Sequence, residues 1–455
     1  MKSFLLIGLF AAAAWAADPF LVKPYLQLGD APRLEKEESV VVVWHTADEP
    51  GKWSIKVNEG SSERVVAHRV AVPGIDLHIV YTSRLSNLKP GADFTYTVMK
   101  DEAAVFSATG RARKSASQDY RFVIFGDIAQ GTPQQRQVAY QVAQAKPDAV
   151  FVAGDIVYGR GRISEYRDRF FPVYNADVAS PETGAPLLRS TMFIAATGNH
   201  DTAGRDLTIN PDALAYFYYW RLPMNGVDHP AFGNLAGPEA TQAAFREAAG
   251  VRFPKLVNFS YDYGNSHWLV LDSNPYADWS DPALRKWVAD DLAAAKGATW
   301  RFVGFHHPGF NSSKAHFNDQ QMRVLSDVFE QGGVDVVFAG HVHNYQRSLP
   351  LKFKSAGTFD FKKSRVVDGE FQFDKDFDGA KTTKAKGVIY LVTGAGGAGL
   401  YDREQGDAVS TWQPFTAKFV SKINSLTIMD VSGKKASFRQ VAADGSVVDS
   451  WTLTK

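Results

Sequence analysis

Tyr120-Arg121-Phe122-Val123-Ile124-Phe125-Gly126-Asp127 is the stretch on which the reading of the fold turns. Its middle is a near-continuous apolar run, as expected of a strand covered on both faces, and it ends in a glycine and a carboxylate. A helix opens directly after it. Thr132 reads as the N-cap, Pro133 as the first helical residue, and Gln135 as the partner that completes a capping box. A second apolar strand, Ala149 to Ala153, ends in the same way at Gly154-Asp155. Further strands are expected at Met192 to Ala196, Trp268 to Leu271, Phe302 to Phe305, Val334 to Phe338 and Val388 to Val392. Helical patterns lie between them, at Asp281 to Lys296 and Gln320 to Glu330. The chain closes on a β-hairpin, Ser425 to Val431 with Ala436 to Val441. Strands alternating with helices make a layered α/β domain.

Upstream the pattern is different. Ser39 to Trp44, Trp53 to Val57, Ile79 to Tyr81 and Phe94 to Val98 are short strands separated by turn signals such as Asn58-Glu59-Gly60 and Lys89-Pro90-Gly91. Regular spacing of this kind predicts a β-sandwich. The fold class is therefore α/β, with an N-terminal β-sandwich over residues 17–112 and a layered domain over 113–455. The small, polar and charged stretch from Gly110 to Gln118 reads as the linker. Residues 1–16 carry the grammar of a signal peptide: Lys2, the apolar run Phe4 to Trp15, and the cleavage pattern Ala14-Trp15-Ala16. The expected location is secreted or periplasmic. No later apolar stretch of about 20 residues is present, so no membrane anchor is expected.

The chain has 455 residues, 50 Lys+Arg against 49 Asp+Glu and a net charge of +1, which excludes the basic excess of a nucleic-acid binder. Hydrophobic residues at 45% and charged residues at 22% exclude wholesale disorder. There is no cysteine. Disulfides, thiolate metal sites and cysteine nucleophiles are thus ruled out, and any metal must be held by His, carboxylate, Tyr or amide oxygen. Oligomeric state is left open.

Polar residues recur just past the strand ends, where α/β sheets bind ligands. They are Asp127, Asp155 with Tyr158 three residues on, Asn199-His200-Asp201, His306-His307, and His341 with His343, and the glycines beside them read as what lets the backbone turn sharply. Gly-His-x-His is a chelating spacing, because alternate residues of an extended segment share a face. From among these positions, two carboxylates, a phenol, an amide and three imidazoles make a set suited to oxygen- and nitrogen-loving metals. Seven ligands are too many for one catalytic ion with an open position and fit two ions sharing a carboxylate bridge.

The series Gly126-Asp127, Gly154-Asp155-Ile156-Val157-Tyr158, Gly198-Asn199-His200-Asp201, Val303-Gly304-Phe305-His306 and Gly340-His341-Val342-His343 resembles the calcineurin-like metallophosphoesterases. Tyr158 narrows the resemblance to the purple acid phosphatases, and Lys23-Pro24-Tyr25-Leu26-Gln27 looks like the start of their fibronectin type III-like N-terminal domain. The least similar segment is the charged insertion Lys352 to Lys386. The resemblance implies that Asp127, Tyr158 and His343 bind Fe(III), that Asn199, His306 and His341 bind a divalent Fe, Zn or Mn, and that Asp155 bridges the two. It implies that His200 and His316 face the phosphate without binding metal. Alternation does not choose between His306 and His307, and the family's His-x-Pro pattern favours His306. The family often has Glu at the position of Asp201. The implied activity is hydrolysis of small phosphate monoesters at acidic pH. The alternatives are a phosphodiesterase or phosphoanhydride hydrolase on the same site, and a non-catalytic exported binding module.

Four other signals have plainer readings. Gly394 to Gly399 fits G-x-G-x-x-G but opens no amphipathic helix, so it reads as a turn beside the metal site. Asp374 to Gly379 matches half a calcium loop but lacks the closing Glu, so it reads as a solvated acidic loop. Tyr216 to Trp220 reads as core. Arg160 and Arg162 stand close after Tyr158, where they either contact substrate anions or lie at the surface.

Overall fold

The computed structural model describes residues 18–202 and 204–455; the signal peptide read at 1–16 lies outside the described residues. Eight strands build the N-terminal region: β1 (Val22–Gln27), β2 (Glu38–Ala47), β3 (Trp53–Val57), β4 (Ser61–Ser62), β5 (Val66–Val70), β6 (His78–Leu88), β7 (Asp93–Lys100) and β8 (Ala103–Arg111). One sheet runs β1-β2-β6-β4 with β5 also on β6, and the other runs β3-β7-β8. Trp44 is fully buried, with Tyr81 stacked on it at 5.4 Å and Trp53 at 5.7 Å.

Strand β8 was not legible in the sequence. Most of its residues are half-buried or exposed, so Ala103 to Arg111 shows no apolar alternation. It takes in Gly110 and Arg111, the first two residues of the stretch read as a linker. Two residues later the chain is tied down rather than free. Arg113 and Glu38 are each 1% exposed and pair at 2.7 Å. The Arg113 guanidinium also donates to the carbonyls of Arg33 (3.1 Å) and Asp262 (3.2 Å).

The remaining strands are β9 (Tyr120–Phe125), β10 (Ala149–Ala153), a small hairpin β11 (Asn175–Ser180) and β12 (Gly184–Pro186), β13 (Met192–Ala196), β14 (Phe259–Tyr263), β15 (Ser266–Val270), β16 (Trp300–Gly304), β17 (Val336–Ala339), β18 (Tyr345–Ser348), β19 (Leu351–Ser355), β20 (Gly369–Phe373), β21 (Ile389–Thr393), β22 (Thr416–Val420), β23 (Ser425–Ser432), β24 (Lys435–Ala442) and β25 (Val447–Thr454). Apart from the two-stranded pairs β11-β12 and β19-β20, they form two large mixed sheets, β13-β10-β9-β23-β24-β25 and β14-β15-β16-β17-β21-β18-β22. The terminal hairpin gains a third strand, β25, whose exposed positions hid it in the sequence. The sheets pack face to face through aromatic rings. Trp268 on β15 stacks on Phe122 of β9 (5.0 Å) and on Phe338 of β17 (5.5 Å).

The helix Pro133–Ala145 starts as expected, with the Thr132 side chain accepting from Gln135 N. The capping box differs in one bond: Gln135 Oε1 accepts from Gly131 N, one residue earlier than Thr132. The helix expected over Gln320 to Glu330 is a 3-10 segment, Gln321–Leu325, followed by a short helix, Ser326–Gln331. Its first turn is tightened because polar side chains turn inward to bond, Gln321 to the Ser273 carbonyl and Arg323 to the Gly309 carbonyl. Strands β9, β10 and β13 are mutually parallel, as are β15, β16 and β17. The ends of β9, β10, β13, β16 and β17 deliver side chains to one place.

Candidate metal centre

The turns that make the site differ from the sequence reading in one respect. Glycines were expected to make the sharp turns. Gly154 does so, with φ of 81°, but three functional residues also take left-handed backbone themselves, with φ of 61° at Asp127, 48° at Asp155 and 67° at His341. Such conformations cost a non-glycine residue on the order of 1–3 kcal/mol and persist where surrounding structure holds them. The neighbouring glycines supply room. A Cβ on Gly340 or on Gly394 would lie 2.6 Å from Asp127 Oδ2, one on Gly198 would lie 2.1 Å from Asp155 Oδ1, and one on Gly154 would lie 2.6 Å from His306 Nδ1. Gly394 opens the glycine-rich stretch, which does lie beside the site: Ala398 N donates to the Asp127 carbonyl at 3.0 Å.

Two groups of side chains converge. In the first, Tyr158 Oη lies 3.1 Å from Asp127 Oδ1 and 2.9 Å from His343 Nε2, and His343 Nε2 lies 3.4 Å from Asp127 Oδ1. His343 Nδ1 donates to the Gly399 carbonyl at 2.6 Å, which leaves Nε2 facing the carboxylate. In the second, His306 Nε2 lies 3.1 Å from Asn199 Oδ1 and 3.3 Å from Asp155 Oδ1. One ligand atom each from Asp155, His306 and His341 lie within 4.8 Å of one another. His306 Nδ1 donates to the Ala153 carbonyl at 2.9 Å, so its neighbour His307 is left to bond Ser273 Oγ (3.0 Å) through its own Nδ1.

This donor set is what a cation requires. His306 spends its Nδ1 proton on Ala153, so the neutral ring points a lone pair at two oxygens that also carry lone pairs. Such a cluster is stable only with positive charge in its midst, from a metal or from protons. The site's electrostatics say the same. Burial opposes charge on His306, yet Asp155 outweighs it and raises the ring to about 9. Burial opposes ionisation of Asp155 too, but His306 and other nearby imidazoles hold it well below the usual carboxylate range. Burial, helped by the neighbouring His306 and His316 and opposed by the bond to Asp319, takes His341 down to about 4, which keeps the ring neutral. Burial, then Asp127 and Asp155, push the Tyr158 phenol far up, so its oxygen becomes an anionic ligand only against a strong cation.

His200 and His316 stand at the rim, with side chains 34% and 36% exposed. His200 donates Nδ1–H to the Gly159 carbonyl (3.0 Å) and directs Nε2 towards Asp155 Oδ2 at 3.9 Å. His316 has its Nδ1 3.2 Å from Asp319 Oδ2 and its ring 4.0 Å from that of His341. Asp201 is fully buried and accepts from the backbone N–H of Ile156 (3.1 Å) and Gly198 (2.8 Å), binding together the loops that carry Asp155 and Asn199. Burial and Asp155 push its carboxyl up.

The other signals resolve simply. Arg162 pairs with Asp212 at 2.8 Å, and Arg160 is exposed. Tyr216 to Trp220 are all buried core. The acids at 374–378 are occupied by the protein's own N–H groups: Asp378 Oδ1 accepts from Ala380, Lys381 and Thr382, and Asp374 Oδ2 from Lys386. Three residues beside the site were not foreseen. Asp319 touches both His316 and His341, Arg365 touches Asp319, and Tyr401 stacks on His343 at 4.0 Å. Only the His316-x-x-Asp319 spacing hinted at any of them.

A family model described as calcineurin-like phosphoesterase matches residues 120–345. Purple acid phosphatase 21 of Arabidopsis thaliana is 37% identical over 240 residues, covering 52% of this chain and 46% of that protein. Probable inactive purple acid phosphatase 1 of the same plant is 25% identical over 406 residues, covering 83% of this chain and 58% of that protein. The chain thus spans less than two thirds of the length of these relatives. Among solved structures, the purple acid phosphatase PPD1 of yellow lupin seeds shares the fold, with a TM-score of 0.64, 17% identity, and coverage of 95% of this chain and 74% of that one.

Proposed function

Residues 120–345 are a calcineurin-like phosphoesterase domain with purple acid phosphatase homologues, and from that premise we propose that the chain hydrolyses small phosphate monoesters at acidic pH. In this reading Asp127, Tyr158 and His343 hold Fe(III), Asn199, His306 and His341 hold a divalent Fe, Zn or Mn, and Asp155 bridges them. The two ions would supply charge neutralisation for the phosphate and a nucleophile at low pH. The observation that carries the proposal is the placing of Tyr158 Oη within 3.1 Å of Asp127 and 2.9 Å of His343. A hard phenol oxygen set among a carboxylate and an imidazole suits a ferric ion.

The remaining roles belong to this chain's own side chains. His306 and His343 are each fixed by an Nδ1–H bond to a carbonyl, so that Nε2 is the ligand atom. Asp201 holds the Asp155 and Asn199 loops in register. His200 and His316, partly open to solvent, are placed to donate hydrogen bonds to phosphoryl oxygens and to hand a proton to the departing alkoxide. The relatives include proteins described as inactive; here all seven ligand types are in place, which supports an active centre. Residues 1–16 support export, which would place the enzyme outside the cytoplasm. The test is metal analysis with turnover of p-nitrophenyl phosphate and its bis-ester across pH. Two metals per chain and monoester turnover highest in acid are expected. No metal and no turnover would leave a binding module.

A further inference from the structure

The charged insertion is built into the candidate site. Its strands β19 and β20 lay Phe353 and Phe371 against Phe310, at 5.4 and 5.8 Å, just beyond His306-His307-Pro308. The loop between those strands is stitched to the segment carrying His316. Gln320 N donates to the Arg365 carbonyl (3.1 Å), Val367 N donates to Gln320 Oε1 (3.1 Å), and Arg323 Nη1 donates to the Val367 carbonyl (3.1 Å). Val367 is fully buried.

This docking brings Arg365 Nη2 to 2.8 Å from Asp319 Oδ1. The other oxygen, Oδ2, lies 3.2 Å from His316 Nδ1 and 3.1 Å from His341 Nε2. A carboxylate paired with a guanidinium only accepts hydrogen bonds, so both rings must donate to it. His341 is then fixed with its proton on Nε2 and its lone pair on Nδ1. His316 carries a proton on Nδ1 and turns Nε2 away from the carboxylate. Among the described residues, Asp319 is the carboxylate placed between these two rings.

We infer that Arg365 is a positioning residue, which by gripping one oxygen of Asp319 aims the other between His341 and His316 and so sets the tautomer of one ring and the seat of both. The inference rests on the reading of His341 as a divalent-metal ligand. It gives the insertion a role: it supplies the outermost member of a chain running Arg365, Asp319, His341. A guanidinium suits the task better than an ammonium, since its planar fork holds a carboxylate in one orientation. Arg365 is 38% exposed, so replacing it leaves the core intact.

The full-length protein is compared with Arg365→Met, Arg365→Lys and Asp319→Asn. The first readout does not depend on metal. In chelator-stripped, histidine-15N-labelled protein, NMR reports the ring tautomers, with His341 assigned from the spectrum of His341→Gln. Wild type is expected to show His341 protonated on Nε2, and Arg365→Met to show mixed tautomers. The second readout is retention of the divalent ion against a competing chelator. Asp319→Asn is expected to weaken it by about 10–100-fold, the range for partners that orient a ligand. Arg365→Met should shift it in the same direction, Arg365→Lys should restore part of the loss, and ferric iron content should stay constant. A wild-type His341 tautomer and wild-type metal retention in Arg365→Met would overturn the inference. A wild-type protein without metal would refute the proposed function instead, and the tautomer measurement would still decide the role of Arg365.

Discussion

Adding one methyl group at Gly198 should disable the site while leaving the fold in place. A Cβ there would sit 2.1 Å from Asp155 Oδ1, 2.3 Å from Asp155 N and 2.9 Å from Asp155 Cγ. Favourable carbon contacts begin near 3.5 Å, so the overlap is roughly 1 Å or more. The carboxylate cannot escape by rotating, because its backbone nitrogen is struck as well. Either the loop carrying Asn199 or the one carrying Asp155 must shift by a similar distance. A 1 Å misplacement of reacting groups costs about 100-fold in rate, or about 2.7 kcal/mol at 1.36 kcal/mol per decade. The overpacking itself should cost about 1–3 kcal/mol of stability. The assay is kcat/KM on p-nitrophenyl phosphate, with metal content and thermal midpoint measured on the same preparation. Gly297→Ala is the control, since a Cβ there meets nothing within 4 Å and its φ is not left-handed. It should leave turnover unchanged and stabilise by about 0.4–1 kcal/mol. If Gly198→Ala keeps wild-type turnover and both metals, Asp155 is not where the chemistry happens.

Other expectations concern different parts of the molecule. His200→Ala and His316→Ala should each lower turnover and reshape the acidic limb of the pH–rate profile while metal content holds; loss of metal in either would make that residue a ligand. Glu38→Gln strands the buried Arg113 charge and should cost about 3–5 kcal/mol in urea unfolding; a change below about 0.5 kcal/mol would mean that the pair is solvated. His267, fully buried between Asp262 and Asp291 at 2.8 Å each, has its pKa raised, since bonds to both carboxylates outweigh burial. Its stabilisation is therefore fully present below the unfolded value of about 6.5 and lost as pH rises through the folded value. Removing the imidazole in His267→Gln should flatten stability against pH above neutrality, and an unchanged slope there would show that the ring is not charged in the fold.

The strand ends could be read from the sequence because each couples an apolar run to a glycine and a polar residue, and that coupling needs no knowledge of the rest of the chain. Tyr158, three residues past Asp155, was legible for the same reason. The left-handed φ of Asp127, Asp155 and His341 was not, since the adjacent glycines looked like the natural owners of the turn; Gly154 does share it, while Gly340 is needed because Asp127 comes too close for a Cβ. The choice between His306 and His307 lay beyond alternation and depends on which ring finds a carbonyl, Ala153, behind it. Strands β8 and β25 are half-exposed edges without apolar periodicity. Asp319 and Arg365 lie 46 residues apart in sequence and meet only because the insertion folds back over the His316 loop, a tertiary event without a local signature.

The central claim is a mixed-valence pair of metals with Tyr158 on the ferric side. The measurement that tests it most directly is the visible absorption of the oxidised, metal-analysed protein, wild type beside Tyr158→Phe. Wild type should contain one ferric ion and a second metal ion per chain and be pink to purple from phenolate-to-iron charge transfer, and Tyr158→Phe should lose the band while retaining its fold. A wild-type protein fully loaded with ferric iron and yet colourless would contradict the account.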